Sequence, residues 1–226
     1  MYKNILAIDT STEYCLITLK SKNIIYNEKK YCPYSHIKYI LYLIHNILKK
    51  NNILLSNLNL LGCNLGPGNF TSLRIGIATI DSMSYALNIP KIGLSHLMII
   101  AEKSWKLTGI KNIITVIKCN KNYIYFALYK KNFKGLWIGK NSECLLNYND
   151  FLKKILILKG VWVLTSNISE NIRFYIKKKL NKNLKIYFIK NLSNSSEEII
   201  NIIDNILLNK KKIKKHYKIN YIKNIF

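Results

Sequence analysis

The stretch with the most chemical potential reads Gly66-Pro67-Gly68-Asn69-Phe70-Thr71-Ser72-Leu73-Arg74. Two glycines around a proline make a stiff loop whose backbone can approach a partner closely, and a helix starts directly after it. Free N–H groups in the first turn, with the helix dipole behind them, favour an anion there. Arg74, one turn in, offers a planar fork of donors to a carboxylate or phosphate. The same spacing also suits a tight strand-to-helix turn with Arg74 in a structural ion pair. Arg74 and Arg173 are the only arginines among 36 basic residues. Arg74 is therefore expected to tie the Gly66–Asn69 loop either to its own half of the chain or to a partner. A second segment, Asp9-Thr10-Ser11-Thr12, sets a carboxylate and three hydroxyls at the end of an apolar run. That pattern either holds a magnesium-nucleotide or caps a turn through local hydrogen bonds.

The remaining reactive side chains do not form constellations. His36 and His45 lie nine apart, not at the three- or four-residue spacing of a shared metal on a helix, and His96 and His216 stand alone. Surface or helix-packing positions are expected for all four. The five cysteines are widely spaced, with no C-x-x-C pair, so neither a zinc site nor a disulfide framework is assigned. No hydroxyl or thiol has a base beside it in sequence, and no catalytic residue is assigned.

These groups sit in a chain of 226 residues, 49% hydrophobic, with formal charge +25 from 36 basic and 11 acidic side chains. That composition excludes disorder, collagen and acidic tails. Lysine, isoleucine, asparagine and tyrosine are abundant throughout, so the charge reads as a uniform bias, with one cluster at Lys210–Lys218. It attracts polyanions without marking a dedicated surface. Asp9 interrupts what an export signal would need to be apolar. The uncharged stretch 51–73 is broken by Gly66, Pro67 and Gly68, so no membrane span is expected and the location is read as cytoplasmic.

The elements that must position the two segments follow from periodicity. Residues 5–8, 14–19 and 24–31 alternate as an antiparallel meander, with Ser21-Lys22-Asn23 as a tight connection. Ile37, Ile40, Leu41, Ile44, Ile47 and Leu48 recur at helical spacing as one apolar stripe over 35–50. A strand at 59–65, a helix at 70–87 closed by Pro90, a strand at 91–94 and a helix from Ser95 to Trp105 come next. A hairpin over 112–129 turns at Asn120-Lys121-Asn122. Further on, a helix spans 150–156 and a strand 161–164. Asn167 and Glu170 mark a helix start, and 184–189 is a strand. A capping box at Ser195–Glu198 opens a last helix running to about Lys212. Strands alternating with helices after a meander give an α/β chain of two halves, 1–108 and 109–226.

Ile5-Leu6-Ala7-Ile8-Asp9-Thr10-Ser11-Thr12, Gly66 to Ala78 and Ile89 to Leu97 together resemble the TsaB (YeaZ) family, and Ser35-His36 falls where that family has a histidine opening its first long helix. The resemblance is dense over 1–105 and thin beyond, where Ile219 to Lys223 faintly echoes a closing motif. Asn69 stands where the family has serine and Ser72 where it has glycine, and Lys118-Cys119-Asn120 replaces an Asp-Ala-Arg stretch. The resemblance implies an actin-like ATPase superfamily fold of two ribonuclease-H-like halves with mixed sheets. It implies a non-catalytic scaffold in threonylcarbamoylation of adenosine in tRNA, paired with TsaD as a heterodimer, with a TsaE ATPase and with tRNA reached through the complex. A homodimer is implied for the chain alone. It implies no cofactor of its own, with ATP or ADP at the interface with partners. The metal-binding His-x-x-x-His of TsaD is reduced here to His36, with Ile40 at the second place. On this reading Asp9, Thr10, Ser11, Thr12, His36, Gly66, Pro67, Gly68, Asn69, Phe70, Thr71 and Arg74 are partner-interface or anion-binding residues. Docking is expected along 35–50 and 70–87, through Tyr39, Tyr42, Leu43, Met83, Tyr85 and Leu87. Two other classes compete: a stand-alone actin-like kinase or ATPase built on Asp9, and a non-specific nucleic-acid binder built on the charge.

Overall fold

Two residues set the first hairpin. Lys22 and Asn23 both take positive φ, 49° and 65°, the geometry of a two-residue turn whose twist matches that of the flanking strands. Ser21 therefore pairs with Ile24, and the register runs back along β2 (Tyr14–Ser21) and β3 (Ile24–Tyr31) until Tyr14 faces Tyr31. β1 (Asn4–Asp9) completes the expected meander on the other edge of β2. The computed structural model describes residues 2–166, 170–180, 182–190, 192 and 196–209. The expected features at Asn167, Ser195, Lys210–Lys218, His216 and 219–223 lie outside the described residues.

β4 (Leu60–Asn64) lies parallel to β1, and β5 (Lys91–Leu94) parallel to β4, giving the order β3-β2-β1-β4-β5. The strands bury both faces. On one, Leu6, Ile8, Ile17, Leu19, Leu61 and Cys63 pack with Ile40, Leu43, Ile44 and Ile47 of α1 (His36–Lys50) and Ile80 of α2 (Phe70–Leu87). Asn88 in the left-handed region (φ 49°) ends α2 before Pro90 is reached. The other face carries α6 (Glu197–Leu208), which begins after Ser196 with no side-chain cap hydrogen bond. Gly62 permits this seat, since a Cβ there would lie 2.7 Å from Ile203 Cδ1 and 2.9 Å from Ile199 Cγ2. Lys20 Nζ and Asp204 Oδ1, 2.7 Å apart, and the Thr18 and Ser196 hydroxyls, 2.6 Å apart, fasten the same contact.

The second sheet repeats the plan. β6 (Asn112–Lys118) and β7 (Tyr123–Lys131) form the hairpin, and β10 (Gly160–Thr165) and β11 (Leu184–Ile189) lie parallel to β6, in the order β11-β10-β6-β7-β8. β8 (Trp137–Ile138) and β9 (Cys144–Asn147), both on β7, are short strands with no periodicity to announce them. α4 (Tyr148–Leu156) and α5 (Glu170–Lys179) pack on it around Phe126, Phe151, Ile155, Trp162 and Ile176. Two mixed sheets, each opening with an antiparallel hairpin and continuing in parallel strands, make the chain α/β, as expected.

The chain divides into two compact units. The first takes the segment up to Ile99 together with α6, and the second starts at Ile100. The division thus falls inside α3 (His96–Thr108), and the last described helix returns to the first unit. Among the described residues no helix is long and apolar enough to cross a membrane.

Candidate functional site

The two segments singled out by residue type meet at the C-terminal ends of β1 and β4. Asp9, Thr10 and Ser11 are all buried. Asp9 Oδ1 accepts the Ser11 N–H at 2.8 Å, and Oδ2 accepts the Asn64 side-chain amide at 3.1 Å. Asn64 Oδ1 in turn accepts the Gly66 N–H at 2.8 Å. One asparagine at the end of β4 thus couples the Asp9 turn to the Gly-Pro-Gly loop. Thr10 donates its hydroxyl to the Ser72 carbonyl at 2.7 Å, and the Asn69 N–H donates to the Ser11 carbonyl at 2.8 Å. Thr12 Oγ1 accepts the Tyr14 N–H at 3.3 Å.

Glycine is required at two of these contacts. A Cβ on Gly68 would stand 2.5 Å from the Ser11 carbonyl oxygen and 2.8 Å from Ser11 Cβ, and one on Gly76 would collide with Thr10 Oγ1. Gly66 has φ +92° and is joined to Pro67 by a cis peptide bond. His96 sits on the other side of the loop. Its backbone N–H donates to the Gly66 carbonyl at 2.8 Å, and its Nδ1 lies 2.8 Å from the Pro67 carbonyl. A carbonyl can only accept, so Nδ1 carries the proton. His96 is thus a loop anchor rather than a packing residue, a role invisible in sequence because its partners lie 29 and 30 residues upstream.

The arrangement is that of a tightly stitched loop. The Ser11 N–H, which could meet a phosphate, is taken by Asp9, and the Ser72 N–H at the start of α2 is capped by Asn69 Oδ1 at 3.3 Å. Burial pushes the Cys15 and Cys63 thiols up to about 12, which keeps both protonated. Among the described residues no three His, Cys, Asp or Glu side chains gather in a metal-binding group. His36 is buried at the start of α1, and its Nε2 has no hydrogen-bond partner.

Beyond the loop, the first turn of α2 surfaces into a groove between α1 and α2 of about 630 Å³, lined among others by Ile37, Leu41, Phe70, Arg74, Ala78 and Met83. Phe70 is exposed, and the Arg74 guanidinium stacks on its ring at 3.8 Å. Two corrections apply to the helix faces. Ile37 and Leu41, placed by periodicity in the core stripe, are 72% and 66% exposed, whereas Leu43 is buried and Tyr39, Met83 and Leu87 pack partly buried against the core. Tyr42 and Tyr85 are exposed, as the docking reading expects.

Sequence reasoning also missed a buried ion pair in the second unit. Lys131 Nζ lies 2.6 Å from Glu102 Oε2, with side chains 3% and 1% exposed, and the same oxygen accepts the Trp137 indole N–H at 2.7 Å. The ammonium is 3.2 Å from the centre of the Trp105 ring and 5.2 Å from that of Trp137. Burial pulls the Lys131 amine below its ordinary value, with Glu102 acting in the opposite sense. An acid on α3 and a lysine in a lysine-rich chain carry no signal of this pairing before the fold is known.

Comparison with known proteins fits the geometry. The family model for TsaD, tRNA N6-adenosine threonylcarbamoyltransferase, matches residues 22–219. The tRNA threonylcarbamoyladenosine biosynthesis protein TsaB of Buchnera aphidicola subsp. Baizongia pistaciae is 40% identical over 205 residues, 90% of each chain. Its Escherichia coli counterpart is 32% identical over 159 residues, covering 70% of this chain and 69% of that protein. YeaZ from Pseudomonas aeruginosa superposes with a TM-score of 0.74 over 99% of both chains at 18% identity, so the fold is shared.

Proposed function

Since this chain belongs to the TsaB (YeaZ) family, we propose that it is a non-catalytic scaffold subunit in tRNA threonylcarbamoyladenosine biosynthesis. It serves the cytoplasmic assembly that places the threonylcarbamoyl group on the adenosine next to the anticodon of tRNAs reading ANN codons. It docks on a TsaD subunit through α1 and α2, with a TsaE ATPase joining the assembly and tRNA reached through the complex. Alone, the same face pairs with a second copy. ATP or ADP at the interface is held with the partners rather than by a site of this chain.

One observation carries the reading. α1 and α2 present Ile37, Leu41, Tyr42, Phe70 and Tyr85, each more than half exposed, around the groove and along the flanking helices. Ile37, Leu41 and Phe70 line the groove itself, and an exposed apolar groove between two helices is the kind of surface a helical interface covers. The engaged oxygens of Asp9 and the protonated buried thiols support a positioning role over a catalytic one. The test is size-exclusion chromatography of the chain with purified TsaD at micromolar concentration. Co-elution is expected, and Leu41→Asp with Ile37→Asp should abolish it without unfolding the chain. Two peaks that never co-elute would refute the docking. Threonylcarbamoylation reconstituted from purified components, with and without this chain, tests the biosynthetic role.

A further inference from the structure

The division into two units reveals that the positive charge is not uniform. Residues 2–99 and 196–209 carry ten basic and seven acidic side chains, whereas residues 100–192 carry nineteen basic and only four acidic. Over the full bounds of the units the first, 1–99 and 194–220, carries sixteen basic and seven acidic side chains, six of the basic ones within 210–218, against twenty and four in the second. In the second unit the charge concentrates along α5 and the edge strand β11. Lys177, Lys178, Lys179, Lys182, Lys185 and Lys190 are all exposed. The one acid of the segment, Glu170, is paired with Lys190, which lowers its pKa.

Aromatic rings are interleaved with these lysines. Phe174, Tyr175 and Tyr187 are 70%, 45% and 43% exposed. Lys185 Nζ lies 4.9 Å from the centre of the Tyr187 ring, and Lys177 Nζ 5.6 Å from that of Phe188. Lysines on an edge strand guard against strand pairing, but that accounts for β11 alone and not for the three consecutive lysines of α5 or for Phe174. Lysines that meet phosphates beside rings that can stack on unpaired bases form the combination that binds single-stranded nucleic acid without reading its sequence.

We infer that the α5–β11 edge of the second unit is an RNA-docking surface, taking the backbone and unstacked loop bases of tRNA. The identity of the RNA rests on the function proposed above; the surface itself rests on charge and exposed rings. The probe is an unmodified transcript of a tRNA reading an ANN codon, titrated with the full chain by fluorescence anisotropy between about 50 and 200 mM salt. Changing Lys177, Lys178 and Lys179 together to Gln should reduce the slope of log affinity against log salt by about two to three. Phe174→Ser with Tyr175→Ser should weaken binding about fivefold or more, on the order expected for a lost base stack, while leaving the slope intact.

The inference is overturned if the parent chain does not bind the transcript, or if both variants keep the parental affinity and slope. It is also overturned if Lys22, Lys29 and Lys30 of the first unit, changed together to Gln, cost as much as the α5 lysines. Reconstituted threonylcarbamoylation separates the two readings. A parent chain that binds through this edge but adds nothing to modification sinks the proposed function alone. A parent that supports modification while the variants bind and work at parental level sinks the docking surface alone.

Discussion

The buried pair of Glu102 and Lys131 gives a demanding test of the packing. Lys131→Met removes the ammonium and leaves the Glu102 carboxylate, 1% exposed, with the Trp137 indole N–H still donating to it. Breaking a buried pair on one side costs about 3–5 kcal/mol, because the surviving charge keeps its desolvation penalty. Lys131→Met is therefore expected to lower unfolding free energy by that amount. Glu102→Gln, which keeps an acceptor near the ammonium, should cost less, on the order of 2 kcal/mol. Removing both charges, Lys131→Met with Glu102→Leu, should restore most of the loss, since apolar groups of similar volume replace a buried pair at little net cost. Equilibrium urea unfolding followed by tryptophan fluorescence measures all three, and Trp105 and Trp137, which ring the pair, report directly on its surroundings. A loss below about 1 kcal/mol for Lys131→Met, or a double variant as unstable as the worse single one, would refute the claim that the pair is dry and mutually compensating.

Gly62→Val should cost about 1–3 kcal/mol by pressing on Ile199 and Ile203 and lifting α6 from β4, read as a lower melting temperature. Asn64→Leu should cost a similar amount, because Asp9 Oδ2 and the Gly66 N–H lose their shared partner. The Cys63 thiol titrates near 12 in the folded chain against an ordinary 9.0, so its contribution is full below pH 9 and fades as pH rises towards 12. Between pH 8 and 10.5 the parent should therefore lose about 2 kcal/mol more than Cys63→Ala, and parallel curves would contradict that. Arg74→Lys should leave the melting temperature nearly unchanged, because the exposed stack on Phe70 is worth about 0.5–1 kcal/mol, but should weaken TsaD co-elution. A large drop in melting temperature would place the role of Arg74 inside the chain instead.

Local chemistry determined much of the chain without reference to the fold. The span 70–87 is bounded by an asparagine that caps its start and an asparagine that takes the left-handed turn at its end, so both limits depend on neighbours within four residues. The Lys22-Asn23 turn, the strands at 112–118 and 184–189, and the absence of a metal-spaced histidine pair are legible for the same reason. Tertiary contact decided the rest. Periodicity shows that α1 has an apolar stripe but not which of its flanks meets the sheet. Ile37 and Leu41 therefore read as core until β2 and β3 are seen to cover only the Ile40–Leu43–Ile44–Ile47 side. The anchors of the loop, Asn64 on Asp9 and His96 on Pro67, and the pairing of Glu102 with Lys131 join residues 29 to 55 apart, beyond any local signal. The segregation of charge was present in the letters throughout. The halves 1–108 and 109–226 already differ, with twelve basic and five acidic side chains against twenty-four and six, and only the packing of α6 on β1, β2 and β4 shows that its three acids lie with the first sheet.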